Sequence, residues 1–227
     1  MDNIERDYGW SITSASSNAL GMSYKGQLQL FFAPSAFSSQ SVVSSPSTNG
    51  NKPISLVYIA DGAERRPEAL TTDKRFFLQL IRAQLQCLDQ SETSVKDLLS
   101  FVSNGWSTAI QVHECLRRLE MENIVNISIL SDERLGVELA MLLPKVQTKV
   151  NIFFEISASI TAAEKGSSGL QVRTGTEVRG KVVYGEQYKE QKMGDFILSR
   201  IGKSLIGWDD AVRDLKARLV ATGRKGS

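Results

Sequence analysis

The sequence predicts an α+β fold built as two successive units, and three observations carry that reading. Residues 1–123 hold three or four strand patterns closed by two helix patterns, and residues 125–227 repeat that order. Strands and helices segregated in this way pack as an antiparallel sheet covered by helices, whereas a parallel sheet needs them to alternate. The length, 227 residues, suits two domains of roughly 100 residues each. The third observation is a helix pattern from Ser94 to about Glu122 whose apolar surface is wider than one core requires.

In the first unit, Gly9 to Thr13 reads as a strand followed by the turn-forming Ser16 to Asn18. ALGMSY and QLQLFF then flank Lys25-Gly26, a two-residue connection of the kind that closes a hairpin. Leu20, Met22 and Tyr24 alternate with small or polar residues, as do Leu28, Leu30 and Phe32, so one face of the hairpin is expected to be buried. Ser35 to Lys52 is serine-rich and carries too little apolar surface to offset the entropy of ordering it, which predicts a mobile loop between neighbouring strands, with a phosphorylated regulatory loop as the alternative reading. Ile54 to Ala60 resumes the sheet. Thr71 or Thr72 is placed to cap a helix with Asp73 in its first turn, where a carboxylate complements the helix dipole. Phe76, Phe77, Leu80, Ile81, Leu85 and Leu88 form its apolar stripe.

The long helix begins at Ser94 with Asp97 three positions on, a capping-box arrangement. Val95, Leu99, Val102, Trp106, Ala109, Ile110, His113 and Leu116 share one stripe, and Phe101, Val112, Cys115 and Leu119 share an adjoining one. This helix is expected to serve both units, giving domains at 1–92 and 93–227 with 94–122 shared in one rigid docking body. His113 reads as a boundary histidine satisfied by a neighbour, since Glu114 lies about 100° away around the helix.

The second unit opens with VNISIL and RLGVELAMLLP. Its clearest strand follows, where Val150, Ile152, Phe154, Ile156, Ala158 and Ile160 hold one face. After the polar AAEKGSSG, LQVRTGTEVRGKVVYG reads as a strand broken near Gly175 by a bulge or bend. Two helices close the unit, marked by Met193, Phe196, Ile197 and Ile201, then by Trp208, Val212, Leu215 and Leu219. The basic GRKGS that follows is expected to fray.

Composition excludes more than it selects. Lys plus Arg number 27 against 25 Asp plus Glu, so neither nucleic acid nor an anionic membrane is demanded as partner. No apolar run approaches the roughly 18 residues of a membrane span, and Met1 is followed by DNIERD, so a soluble, intracellular chain is expected. Cys87 and Cys115 both fall in helix patterns and read as small buried hydrophobes, with no metal clamp and no disulfide framework. Phosphate-binding, dinucleotide, HExxH and GxSxG motifs are missing, and the paired acids at Asp132-Glu133 and Asp209-Asp210 sit at element starts where solvated carboxylates are ordinary. The expectation is a binding protein with no catalytic residue, cofactor or metal.

Six blocks in order, GWSITSAS, LTTDKRFFLQLIRAQLQCL, VKDLLSFVSNGW, ISILSDERLGVELAMLLP, KVVYGEQYKEQKMGDFILSRIG and GWDDAVRDLKARL, resemble the C-terminal region of the kinetochore null protein family, called blinkin in animals and Spc seven in fission yeast. The resemblance implies two tandem RWD domains, each an α-β-β-β-β-α-α unit related to ubiquitin-conjugating enzymes but lacking their active-site cysteine. The long helix would lead the second unit, and Asp2 to Tyr8 would be the end of a coiled coil leading the first. The resemblance further implies a nuclear, kinetochore-bound anchor that binds the MIND complex through the C-terminal tail of its Nsl subunit, as a monomeric fragment. An inactive ubiquitin-conjugating-like module and a bare homodimerisation module are the competing readings. A peptide would be taken by strand addition to an open edge or in a crevice between the domains. Val57, Tyr58 and Ile59 mark the candidate edge, and Trp106, Ile110 and His113 mark the candidate crevice.

Overall fold

The computed structural model describes residues 9–37, 51–59, 70–162, 169–202 and 207–223. Residues 2–8, most of the serine-rich segment (38–50), the interior of the AAEKGSSG loop (163–168) and the basic tail (224–227) lie outside them. The chain divides into two compact units, one made of Met1–Thr71, Phe77–Ser107 and Ile160–Val172, the other of Thr72–Phe76, Thr108–Ser159 and Arg173–Ser227. The architecture is α+β, with two antiparallel four-stranded sheets and four helices among the described residues.

The first sheet runs in the order β1 (Trp10–Ala15), β2 (Leu20–Tyr24), β3 (Leu28–Phe32), β4 (Ser55–Tyr58). Lys25 and Gly26 both adopt left-handed backbone, φ 49° and 68°, as a type I′ turn requires, and Gln27 N–H closes the turn on the Tyr24 carbonyl at 3.0 Å. The ladder pairs Tyr24 with Leu28, so the connection spans three residues rather than two and Gln27 is left over. Its side chain is put to use, accepting the Trp106 indole N–H at 2.9 Å. Nor is only one face of β2 buried: Gly21 and Ser23 are covered as well as Met22 and Tyr24. A Cβ on Gly21 would lie 2.9 Å from the Phe31 ring, so glycine is what lets Phe31 cover the outer face.

Helix α1 (Thr72–Cys87) and the first part of α2 (Val95–Glu122) supply the rest of this core. Phe77, Leu78, Ile81, Leu85 and Leu88 are buried from α1 and its end, with Leu80 half-buried and Leu78 taking the place expected of it. Each is worth roughly 1.5–3 kcal/mol of transfer free energy. Thr71 makes no side-chain cap bond. Ser94 does: its hydroxyl accepts the Asp97 N–H at 3.1 Å and donates to Asp97 Oδ2 at 2.6 Å. Trp10 Nε1 donates to Ser103 Oγ and the Tyr24 and Ser107 hydroxyls meet at 3.0 Å, so the half-polar side of α2 is satisfied against the sheet.

The second unit follows the same order. Its sheet is β5 (Ile124–Ser131), β6 (Arg134–Leu143), β7 (Thr148–Ala162), β8 (Leu170–Tyr184). Leu135, Val137, Leu139, Met141 and Leu143 of β6 and Val150, Ile152, Phe154, Ile156 and Ala158 of β7 are buried, and Ile160 is half-buried. The strand β8 is unbroken at Gly175. Glycine serves close approach there, because a Cβ would stand 2.8 Å from Ser157 Oγ. Helix α3 (Glu190–Ile201) also sits close on β8, with Gly194 against the Val178 carbonyl and Gly180 against Met193. Helix α4 (Trp208–Gly223) places Trp208 flat on Phe154, ring centroids 4.7 Å apart at 14°.

Asp73 is the carboxylate expected to face the helix dipole, yet it is 1% exposed and bonds His113 Nδ1 at 2.9 Å. His113 is therefore the satisfied boundary histidine, with Asp73 rather than Glu114 as its partner. Replacing His113 with alanine strips a buried carboxylate of this bond, and a loss of about 3 kcal/mol is expected in denaturant titration. Asp73→Asn paired with His113→Gln should recover much of that loss.

Candidate functional site

Among the described residues β4 lies at an edge of the first sheet, paired on one side with β3 in the register Leu28 to Tyr58, Gln29 to Val57, Leu30 to Leu56 and Phe31 to Ser55. Ile59 N–H donates to the Gln27 carbonyl at 2.8 Å. Antiparallel bonds alternate, so Ser55 and Val57 face β3 with their backbone groups while Leu56 and Tyr58 turn theirs to the open side. Arg82 Nε donates to the Leu56 carbonyl at 2.9 Å and so occupies part of that side. An incoming strand would have to displace or share this guanidinium.

The side chains alternate in the complementary sense. Val57 is 41% exposed on the outer face. Tyr58 is half-buried, its ring 5.7 Å from that of Trp106, and Ile59 is half-buried. Trp106 is 0% exposed and its only donor is engaged by Gln27, so it supports Tyr58 from beneath and presents nothing to a ligand. Ile110 and His113 belong to the second unit, both half-buried.

Two grooves escaped sequence reasoning. The first, of about 420 Å³ in the first unit, has Leu88, Leu98, Phe101 and Leu170 as apolar lining and carries Asp89, Glu92 and Asp97. The Ser91 hydroxyl and then its N–H hold the Asp89 carboxyl below the usual carboxylate range. Cys87 lines this groove and is exposed, contrary to its expected burial. It falls two residues past the buried Leu85, about 200° around α1 and off the apolar stripe. Cys115 is buried, and desolvation, with the Asp209 charge second, pushes its thiol up to about 12.

The second groove, about 350 Å³, lies on the outer face of the second sheet. Leu130 is 55% exposed and covers Gly136, Phe153 is 36% exposed, and Glu138, Glu155, Glu177 and Arg179 surround them. Phe153 and Leu130 were legible as apolar residues out of phase with the buried alternation of their strands.

Among the described residues no helix is long and apolar enough to cross a membrane, and no three His, Cys, Asp or Glu side chains are grouped to hold a metal ion. Comparison with protein families finds that residues 1–113 match the model described as the Knl1 RWD C-terminal domain. No curated protein matches the chain.

Proposed function

This chain carries a C-terminal RWD region of the Knl1 family, and from that premise we propose that it is a non-enzymatic docking module anchoring a kinetochore scaffold in the nucleus. The family match over residues 1–113 is the observation that carries the reading. Its partner is the MIND complex, engaged through the C-terminal tail of the Nsl subunit. The tail is taken in extended form along β4, where Val57 supplies exposed apolar surface and Tyr58, braced by Trp106, supplies a firm inner wall.

Capture of purified MIND complex by this chain, and loss of capture when the Nsl tail is deleted, is the deciding experiment. Wild-type chain that fails to retain the complex overturns the partner. Val57→Asp is expected to weaken the Nsl-tail peptide at least about tenfold in fluorescence anisotropy, since it places a charge on the contact strand without touching the core. Unchanged affinity in a folded Val57→Asp protein would move the docking site away from β4.

A further inference from the structure

Arg82 reaches the open side of β4 from α1. It follows the buried Ile81, is itself exposed, and donates its Nε–H to the Leu56 carbonyl at 2.9 Å. A guanidinium has five N–H donors and no acceptor, and Nε is the only donor of Arg82 that is engaged among the described residues. No carboxylate pairs with it there. The neighbouring segments offer none: residues 51–59 and α1 together hold Lys52, Lys74, Arg75 and Arg82 against one acid, Asp73, which is 1% exposed and bonded to His113. The charge on this stretch asks for an anionic partner.

The ladder decides which anion fits. A strand added antiparallel to β4 runs from Tyr58 towards Leu56, and a residue opposite Leu56 brings its N–H to the Leu56 carbonyl. There it meets a guanidinium that is already donating to the same oxygen. Donor faces donor. A strand whose last residue lies opposite Val57 brings no N–H, and one oxygen of its terminal carboxylate stands where that nitrogen would have been. This oxygen faces the Leu56 carbonyl oxygen, acceptor against acceptor. Arg82 relieves the repulsion by donating Nε–H to the carbonyl and an Nη–H to the carboxylate, a charge-assisted bond. An acidic side chain carries the same charge but projects from a face of the strand, away from the line of backbone groups.

We propose, on the reading that β4 is the docking strand, that Arg82 takes the C-terminal carboxylate of the docked segment and so determines both its direction and its register. The segment runs antiparallel to β4 and ends opposite Val57, whose exposed side chain meets that of its last residue. Arg82 selects a chain end over a chain that continues. The competing role for a cation here is to guard the edge against added strands. The two roles predict opposite signs when Arg82 is removed: a guard lost tightens binding, and a carboxylate partner lost weakens it.

The Nsl-tail peptide with a free C terminus and the same peptide as its C-terminal amide, each titrated with the wild-type and Arg82→Ala chains in fluorescence anisotropy, test this. Amidation is expected to weaken binding to the wild-type chain about fivefold or more, the scale of a charge-assisted hydrogen bond. Arg82→Ala should weaken the free acid by a similar factor. The variant should then bind acid and amide alike, because the two changes delete one interaction. Arg82 is exposed, so the variant keeps its core, and the amide needs no variant at all. Equal binding of acid and amide by the wild-type chain overturns the proposal, and so does tighter binding by Arg82→Ala. A loss that follows neutralising the peptide's acidic side chains, and not its C terminus, also overturns it. Val57→Asp separates this result from the reading beneath it. A peptide weakened by Val57→Asp but indifferent to amidation keeps β4 as the docking strand and removes only the carboxylate contact, whereas a peptide indifferent to Val57→Asp removes both.

Discussion

Replacing Gly194 with alanine is expected to destabilise the second unit by about 2–3 kcal/mol, against the sign that helix propensity predicts. Inside a helix alanine is favoured over glycine by about 1 kcal/mol, and Gly194 lies within α3. A Cβ there would stand 2.5 Å from the Val178 carbonyl oxygen and 3.2 Å from its carbon. The obstacle is backbone in a hydrogen-bonded strand, which cannot rotate away as a side chain does, so α3 must lift from β8. Overpacking of this kind costs about 1–3 kcal/mol or more and is felt first by Met193 and Ile197, both buried. Denaturant unfolding followed by fluorescence of the buried Trp208 reads the change. A more stable Gly194→Ala protein would show that the helix does not bear on the strand this closely.

Trp106→Ala should cost about 3–5 kcal/mol, the usual penalty for emptying a buried indole site. The conservative Trp106→Phe should cost about 1–2 kcal/mol, because the ring against Tyr58 is kept while Gln27 Oε1 loses its donor. The pair of variants separates support from contact. If Trp106 only braces Tyr58, the folded Trp106→Phe protein binds the Nsl-tail peptide as tightly as wild type and the loss is confined to stability. A weakened peptide with unchanged stability would mean that the indole meets the ligand after all.

Much of the architecture was legible because burial leaves a periodic trace. The alternation from Val150 to Ala158 and the helical spacing from Leu99 to Leu119 each reflect one dominant force acting on one face. What was not legible depends on geometry rather than pattern. Gly175 reads as a break because glycine is poor strand material, and only the nearness of Ser157 shows that its missing side chain is the point. Leu78 and Leu80 are equally apolar, and the sheet beneath α1 decides which is buried. Asp73 carries the marks of a first-turn carboxylate, yet a histidine 40 residues away claims it. The candidate site was readable in outline. That β4 is an edge follows from the order of the strands, but Arg82 on its open side and the burial of Trp106 follow from packing that no local window contains. The acidic groove draws on α1, α2 and the start of β8, segments too far apart in sequence for any spacing rule to join.

Among the described residues both sheets are strict meanders: every pairing joins strands consecutive in the chain. Their hydrogen-bonded contacts are therefore local, and the entropic cost of closing each loop grows only slowly with its length. During synthesis β5 leaves the ribosome ahead of β6, finds it within a few residues, and among the described residues pairs with no strand on its other side. The order in which the chain is made thus keeps the first strand of each sheet, β1 or β5, at an edge among the described residues.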